Sequence, residues 1–242
     1  MHRRGRLVIL LGPPGSGKGT QAARLSEALG IPAISTGEML RRECQSGSAI
    51  GRAVQSILAS GQLVSDELIN EVVASRLARE DCEQGCIVDG YPRTVSQARF
   101  LQRLLRTLKM GRPVVFDFDI ECEDVIARLS RRRQCARCGR IVSVDGSSHH
   151  AEMVCERDGS NLVQRADDNP ATVRDRLRLY QQNAGDLTRY YAQHDFHRIV
   201  AARSPEQISD ELLGILGRGA FAAGVTSRAR ALVRPQYHAQ PA

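Results

Sequence analysis

A chain of 242 residues can bury one good core. With 25% charged residues and no apolar run approaching membrane-spanning length, it reads as an ordinary globular protein, not a membrane-embedded one. A net charge of +7 and a pI near 9.3 admit an anionic partner, nucleotide or nucleic acid alike, while 4% aromatic residues and no Trp argue against a base-stacking platform.

The basic start, residues 1–6, leads into the apolar run Leu7-Val8-Ile9-Leu10-Leu11, which is too short for a signal sequence and has no small-residue cleavage site after it. That run reads as a buried strand. Gly12-Pro13-Pro14-Gly15-Ser16-Gly17-Lys18-Gly19-Thr20 follows, and then a helix over 21–29 with Ala22, Leu25, Ala28 and Leu29 on one face. A glycine-rich loop between strand and helix turns backbone N–H groups toward a phosphate chain, the helix N-terminus adds positive potential, and Lys18 supplies a full charge. The spacing approaches G-x-x-x-x-G-K-[ST] but is off by one: Gly19 stands at the Ser/Thr position and Thr20 follows it.

Residues 31–35 read as a second strand, and Ser35, three residues before Glu38, is expected to cap the next helix. Helices are expected over Ala49–Ala59 and over 65–79, separated by Gly61-Gln62-Leu63-Val64. Helices without a strand of their own suggest an inserted, movable subdomain. Residues 86–89 form a third strand ending in Asp89, followed by Gly90-Tyr91-Pro92-Arg93. An apolar strand tipped by Asp has the Walker B form, in which the carboxylate orients Mg²⁺ or its water. Next come a helix over 97–108, a strand over 113–119 and a helix over 123–131. Residues 135–164 lose the helical period. A long helix starts at Pro170 and runs to about 194, a fifth strand covers 197–200, and a last helix covers 205–216. The alternation predicts an α/β fold: five parallel strands with helices on both faces, and ligands beyond the strands' carboxyl ends. Residues 218–242 contain no Asp or Glu and read as a basic, loosely ordered tail.

Seven cysteines, an odd number, argue for a reducing compartment. Cys135-x-x-Cys138 and Cys155-x-x-Asp158 have the two-knuckle spacing of a structural zinc ribbon, with Gly139 and Gly159 after each knuckle. His149 and His150 are rival fourth ligands, placed between the knuckles. Arg137, Arg140 and Arg157 are available to offset the thiolate charge. Arg41, Arg93, Arg128, Arg132, Arg165 and Arg176 fall near element ends. Many arginines and no evident nucleophile or catalytic His suit phosphoryl transfer to an acceptor that is already anionic.

With these motifs in order, together with Ser35-Thr36-Gly37-Glu38-Met39-Leu40-Arg41 and Arg165-Ala166-Asp167-Asp168-Asn169, the chain resembles the adenylate kinases of the long bacterial type with a zinc-bearing lid, over about Arg6 to Leu216. The off-pattern Gly19-Thr20 matches that family's loop. The resemblance implies a P-loop nucleoside monophosphate kinase fold over residues 1–217, with a helical AMP-binding insert at 35–64 and a zinc-binding lid at 132–169. It implies reversible, Mg²⁺-dependent transfer from ATP to AMP giving two ADP. The expected ATP contacts are Gly15, Ser16, Gly17, Lys18, Gly19, Thr20, Arg128, Arg132, Ile141 and Val142. The expected AMP contacts are Thr36, Arg41, Gln62, Leu63, Val64, Gly90, Tyr91, Pro92, Arg93, Gln97, Arg165 and Arg176. Lys18, Arg93, Arg132, Arg165, Arg176 and Asp89 are the expected catalytic groups, and Cys135, Cys138, Cys155 and Asp158 the zinc ligands.

Against the family pattern, Val142 replaces an aromatic, Arg131 a Gly and Tyr91 a Phe, and Val200-Ala201-Ala202 lacks an Asp/Asn-Gly turn. These departures bear on donor preference, so a related kinase using GTP or another monophosphate is the alternative. A basic zinc-ribbon nucleic-acid binder is a third reading, and the ribbon's position inside the catalytic span argues against it. The expected setting is a cytoplasmic monomer with no nucleic-acid or membrane partner.

Overall fold

Strand β1 (Arg6–Leu11) is apolar without alternation because both of its faces are covered. Leu7, Ile9 and Leu11 enter one core, while Val8 and Leu10 enter the other. The computed structural model describes residues 5–60, 62–144 and 153–218. Gly61, His149, His150 and the tail from 219 onward lie outside the described residues.

The sheet has five parallel strands in the order β2-β3-β1-β4-β8. These are β2 (Ala33–Ser35), β3 (Gly85–Asp89), β4 (Val114–Asp119) and β8 (Asp195–Val200) around β1. Helices α1 (Lys18–Leu29) and α8 (Pro205–Arg218) cover one face through Ala22, Leu25, Leu29, Ile208, Leu212 and Leu216. Helices α4 (Asp66–Leu77), α5 (Val95–Thr107) and α7 (Pro170–Tyr191) cover the other, with Val73, Leu77, Leu101, Leu105, Leu187 and Tyr191 at its centre. The expected five-stranded, two-faced architecture is what forms.

Several element limits differ from expectation. Helix α1 starts at Lys18, three residues earlier than periodicity gives, because Gly17 in the left-handed region ends the loop abruptly. Ser35 occupies the N-cap of α2 (Thr36–Ser46), but its side chain makes no capping hydrogen bond. The expected capping box is therefore absent, and Glu38 pairs instead with Arg42 at 2.5 Å. Helix α7 stops at Tyr191, where His194 N–H donates to the Tyr191 carbonyl. Strand β8 then begins at Asp195, held by Arg6 at 2.7 Å and His197 at 2.8 Å.

Two excursions leave the sheet at its carboxyl end. After β2 the chain makes α2 and α3 (Ala49–Ala59) before returning through α4. After α6 (Cys122–Arg131) it forms a separate three-stranded antiparallel sheet of order β6-β5-β7. Its strands are β5 (Arg132–Cys135), β6 (Ile141–Ser143) and β7 (Leu162–Val163). Among the described residues the buried core of this small sheet is Cys135, Cys155 and Leu162, with Val142 and Val144 against them. That is too little apolar surface to hold a fold alone.

Candidate active site

Gly12, Gly15 and Gly17 have φ of 137°, 80° and 97°, in the region where L side chains are strained. A Cβ at Gly12 would lie 2.8 Å from Phe118 Cβ, and one at Gly15 would lie 2.9 Å from Leu129 Cγ. The loop is thus wedged between β4 and α6. The N-cap of α1 is Gly17, which offers no side chain, and no acidic residue stands in the first turn. The first amides of α1 and the helix's positive end are left for an anion. Lys18 Nζ donates to the carbonyls of Gly12 (2.8 Å) and Pro13 (2.7 Å) and to Ser16 Oγ (3.3 Å). Desolvation draws the Lys18 pKa down to about 8; Asp89 opposes the shift, and the guanidiniums of Arg93, Arg176 and Arg132 add to it.

Asp89 ends β3 beside Leu10 of β1 and Ser35 of β2, and its Oδ2 lies 3.5 Å from where a Gly19 Cβ would stand. The carboxylate therefore faces the phosphate loop. Next to it opens a pocket lined by Thr36, Leu40, Val64, Gly90, Arg93 and Gln97, among others. Gln62 and Leu63 also border this pocket. Thr36 Oγ1 donates to the Gly90 carbonyl at 3.0 Å, and Arg93 Nε donates to the same carbonyl at 2.8 Å. Tyr91 and Pro92, joined by a cis peptide, are buried beneath. Arg41 Nε is buried and has no hydrogen-bond partner among the described residues, so this guanidinium lacks an acceptor that an anionic ligand would supply.

The arginines converge from α2 (Arg41), β5 (Arg132) and α7 (Arg176) and from the connections that carry Arg93 and Arg165. Arg132 makes a bidentate pair with Asp168, through Nε at 2.7 Å and through Nη2, and both side chains are nearly or wholly out of solvent. Arg176 pairs with Asp167 at 2.8 Å and approaches Asp168 at 3.5 Å. Arg165 Nε donates to Gln134 Oε1 at 2.6 Å. Desolvation first, then Arg41 and Arg132, hold the Arg165 pKa down to about 10. Desolvation pushes Asp167 up, but Arg176, Arg41, Arg132 and Arg165 outweigh it and keep its carboxyl below the usual range. Of the expected cations, Lys18, Arg41, Arg93, Arg132, Arg165 and Arg176 thus share one crevice. Arg128 is turned to the Ala201 carbonyl at 2.8 Å, near the end of β8.

In the small sheet, the ligand atoms of Cys135, Cys138, Cys155 and Asp158 all lie within 4.8 Å of one another. A zinc tetrahedron with ordinary bond lengths requires S···S edges of about 3.8 Å and S···O edges of about 3.5 Å. Cys138 and Cys155 Sγ are 3.7 Å apart, and Cys135 Sγ lies 3.4 and 3.5 Å from the Asp158 oxygens. Each knuckle closes on its glycine, with Gly139 N–H donating to the Cys135 carbonyl at 3.1 Å and Gly159 N–H to the Cys155 carbonyl at 2.8 Å. The donor set fits a closed, four-coordinate metal. Arg140 reaches Glu156 at 3.5 Å. Val142 packs beside the thiols, and Ile141 is substantially exposed on the same strand.

Spacing alone misses the carboxylates that hold these cations. Asp167 and Asp168 stand beside Arg165 in sequence, and a charge-pairing argument would have singled them out. Asp66 would not have been found, because it meets Gln97 only across 31 residues.

A family model described as adenylate kinase matches residues 10–196. An adenylate kinase of Anaeromyxobacter dehalogenans (strain 2CP-1) is 44% identical over 88% of this chain and 100% of its own length. One from Fervidobacterium nodosum is 41% identical over 87% of this chain and 97% of its own, and one from Thermosipho africanus is 40% identical over 87% and 99%.

Two outcomes follow from the charge arrangement. Asp168→Ala leaves the Arg132 guanidinium, itself only 15% exposed, without its partner, and should destabilise the protein by about 3 kcal/mol in urea unfolding. A loss under about 0.5 kcal/mol would mean that the pair does not form in solution. An anion beside Lys18 favours its charged form and raises a pKa that starts near 8, so tripolyphosphate binding at pH 8 should take up about half a proton. Calorimetry in buffers of different ionisation enthalpy measures this uptake, and no uptake would contradict the depressed starting value.

Proposed function

The chain belongs to the adenylate kinase family, a family of phosphotransferases, and from that premise we propose that its crevice carries reversible transfer of a phosphoryl group from ATP to AMP, giving two ADP. One observation carries the reading: six cations from separate stretches of the chain are gathered between the phosphate loop and the Thr36–Gln97 pocket. Charge spread over a moving phosphoryl group is what such an arrangement stabilises.

The loop from Gly15 to Thr20 and the α1 amides hold the donor's phosphates, with Lys18 on the transferring group. Its ammonium is already within reach of the loop carbonyls it would leave. Arg132, held by Asp168, and Arg128 take the donor side, with Ile141 and Val142 near its base. Thr36, Arg41, residues 62–64, residues 90–93 and Gln97 take the acceptor, joined by Arg165 and Arg176 on its phosphate. An oxygen of the AMP phosphate attacks the γ-phosphorus in line, and the bond from that phosphorus to the β–γ bridging oxygen breaks. The attacking oxygen is already anionic, so no base need remove a proton. Asp89 fits a water-bridged Mg²⁺ bound with ATP, since its carboxylate faces the phosphate loop; the ion would supply charge neutralisation on the donor's β- and γ-oxygens.

The lid cluster is read as a structural Zn²⁺ site, supported by its tetrahedral edge lengths and by how little other core the described residues of that sheet supply. The protein is further read as a cytoplasmic monomer without nucleic-acid or membrane partners. No helix among the described residues is long and apolar enough to cross a membrane.

A coupled assay for ADP in Mg·ATP plus AMP tests the activity, and no AMP-dependent turnover would end the reading. Lys18→Ala should lower kcat by about 10²–10³-fold while the melting midpoint moves by less than about 2 °C, because a desolvated cation contributes little to the fold. Stripping metal with a strong chelator, or Cys135→Ser, should lower the midpoint by at least about 5 °C. Superimposable melts with and without chelator would remove the zinc.

A further inference from the structure

Gln97 is buried, at 3% exposure, and lines the acceptor pocket. A glutamine amide has two ends of opposite character, and only its surroundings decide which end faces a ligand. Here both ends are assigned. Gln97 Oε1 accepts from the Arg93 backbone N–H at 2.7 Å, and Nε2 donates to Asp66 Oδ1 at 2.6 Å. Reversing the amide would set N–H against N–H and oxygen against carboxylate at once. Asp66 is fixed in turn: its Oδ2 accepts from Thr94 Oγ1 at 3.2 Å, and that hydroxyl accepts the Gln97 backbone N–H as the N-cap of α5. One turn along α4, Asn70 Oδ1 accepts the Tyr91 hydroxyl at 2.5 Å, and the same hydroxyl lies 3.2 Å from the Gln97 carbonyl.

We infer that Asp66 is a positioning residue for acceptor specificity: it locks the Gln97 amide so that its remaining Nε2 proton is presented to the pocket as a donor. This rests on the kinase reading above. A donor at that place selects a purine whose edge offers an unprotonated ring nitrogen, as N1 of adenine does. It opposes one whose N1 carries a proton, as in hypoxanthine or guanine. Asp66 touches no substrate; it acts on the base only through Gln97.

The test compares kcat/KM for AMP and IMP, which differ at the purine edge alone. The wild-type protein is measured first. If it shows no AMP turnover, the kinase reading fails; if it turns over AMP and IMP alike, the inference about Asp66 fails. In Asp66→Ala the Nε2 end loses its acceptor and only the Arg93 N–H still orders the amide, so the AMP-to-IMP ratio should fall at least about tenfold, mainly through the KM values. Asp66→Asn keeps an acceptor toward Gln97 and a donor toward Thr94, and should restore the ratio. Should Asp66→Ala not fold, Asp66→Ser serves, because it suits the first turn of α4 and is too short to reach Gln97. A merely structural role would lower the melting midpoint and both kcat/KM values while leaving their ratio unchanged, and that result in a folded variant would overturn the inference.

Discussion

The structure is organised around a concentration of like charge. Lys18, Arg93, Arg165 and Arg176 are held below their ordinary proton affinity, first by burial and then by neighbouring guanidiniums that include those of Arg41 and Arg132, with Asp89, Asp167 and Asp168 standing among these six cations. Six cations against three carboxylates is an arrangement that water would screen and that a folded protein must hold by force of packing. Two elements do the holding: the parallel sheet sets Asp89 at the tip of β3 beside β1, whose loop leads to Lys18 at the start of α1, and α7 carries Arg176 against Asp167 and Asp168 just before the helix. The unpartnered Arg41 Nε shows the same thing at the scale of one atom. A polyanion entering such a site gains interactions with groups already desolvated and oriented, which is the basis of electrostatic preorganisation.

How much of this the sequence disclosed depended on range. The phosphate loop was legible because its glycines act locally: Gly12, Gly15 and Gly17 meet φ values that other residues resist. The four metal ligands were legible for a related reason, since each knuckle is a turn closed within a few residues. The strands were legible from apolar runs, because a strand covered on both faces leaves an unbroken one. The start of α1 was not, because Lys-Gly-Thr carries little helical preference of its own and the helix is imposed by the backbone angle at Gly17. Ser35 does stand at the N-cap of α2 as expected, with the extended backbone of a strand end, but its side chain makes no capping hydrogen bond there. The Asp66–Gln97 bond, formed between two helices, has no local signature at all.

The two excursions from the sheet are built on different principles. The α2–α3 segment joins the main apolar core through Leu40 and Val54, so its base is continuous with the rest of the protein. The small β-sheet shares no such core; its interior is made of the cysteines that could bind metal. Polar links, Arg165 to Gln134 and Arg132 to Asp168, tie its strand β5 to the stretch that leads from β7 into α7. A module joined by charge and hydrogen bonds over an aqueous crevice is suited to part and close more readily than one sharing buried apolar surface.

The place where Gly15 meets Leu129 gives this arrangement a mechanical character. Leu129 lies near the end of α6, from which the small sheet extends, and it packs with Val125, Val173 and Leu177 against α7. Through the Leu129 side chain, α6 therefore bears on the backbone that would cradle the phosphates. Any tilt of α6 would thus press on the loop itself, and the bare α-carbon of one glycine sets the clearance between them.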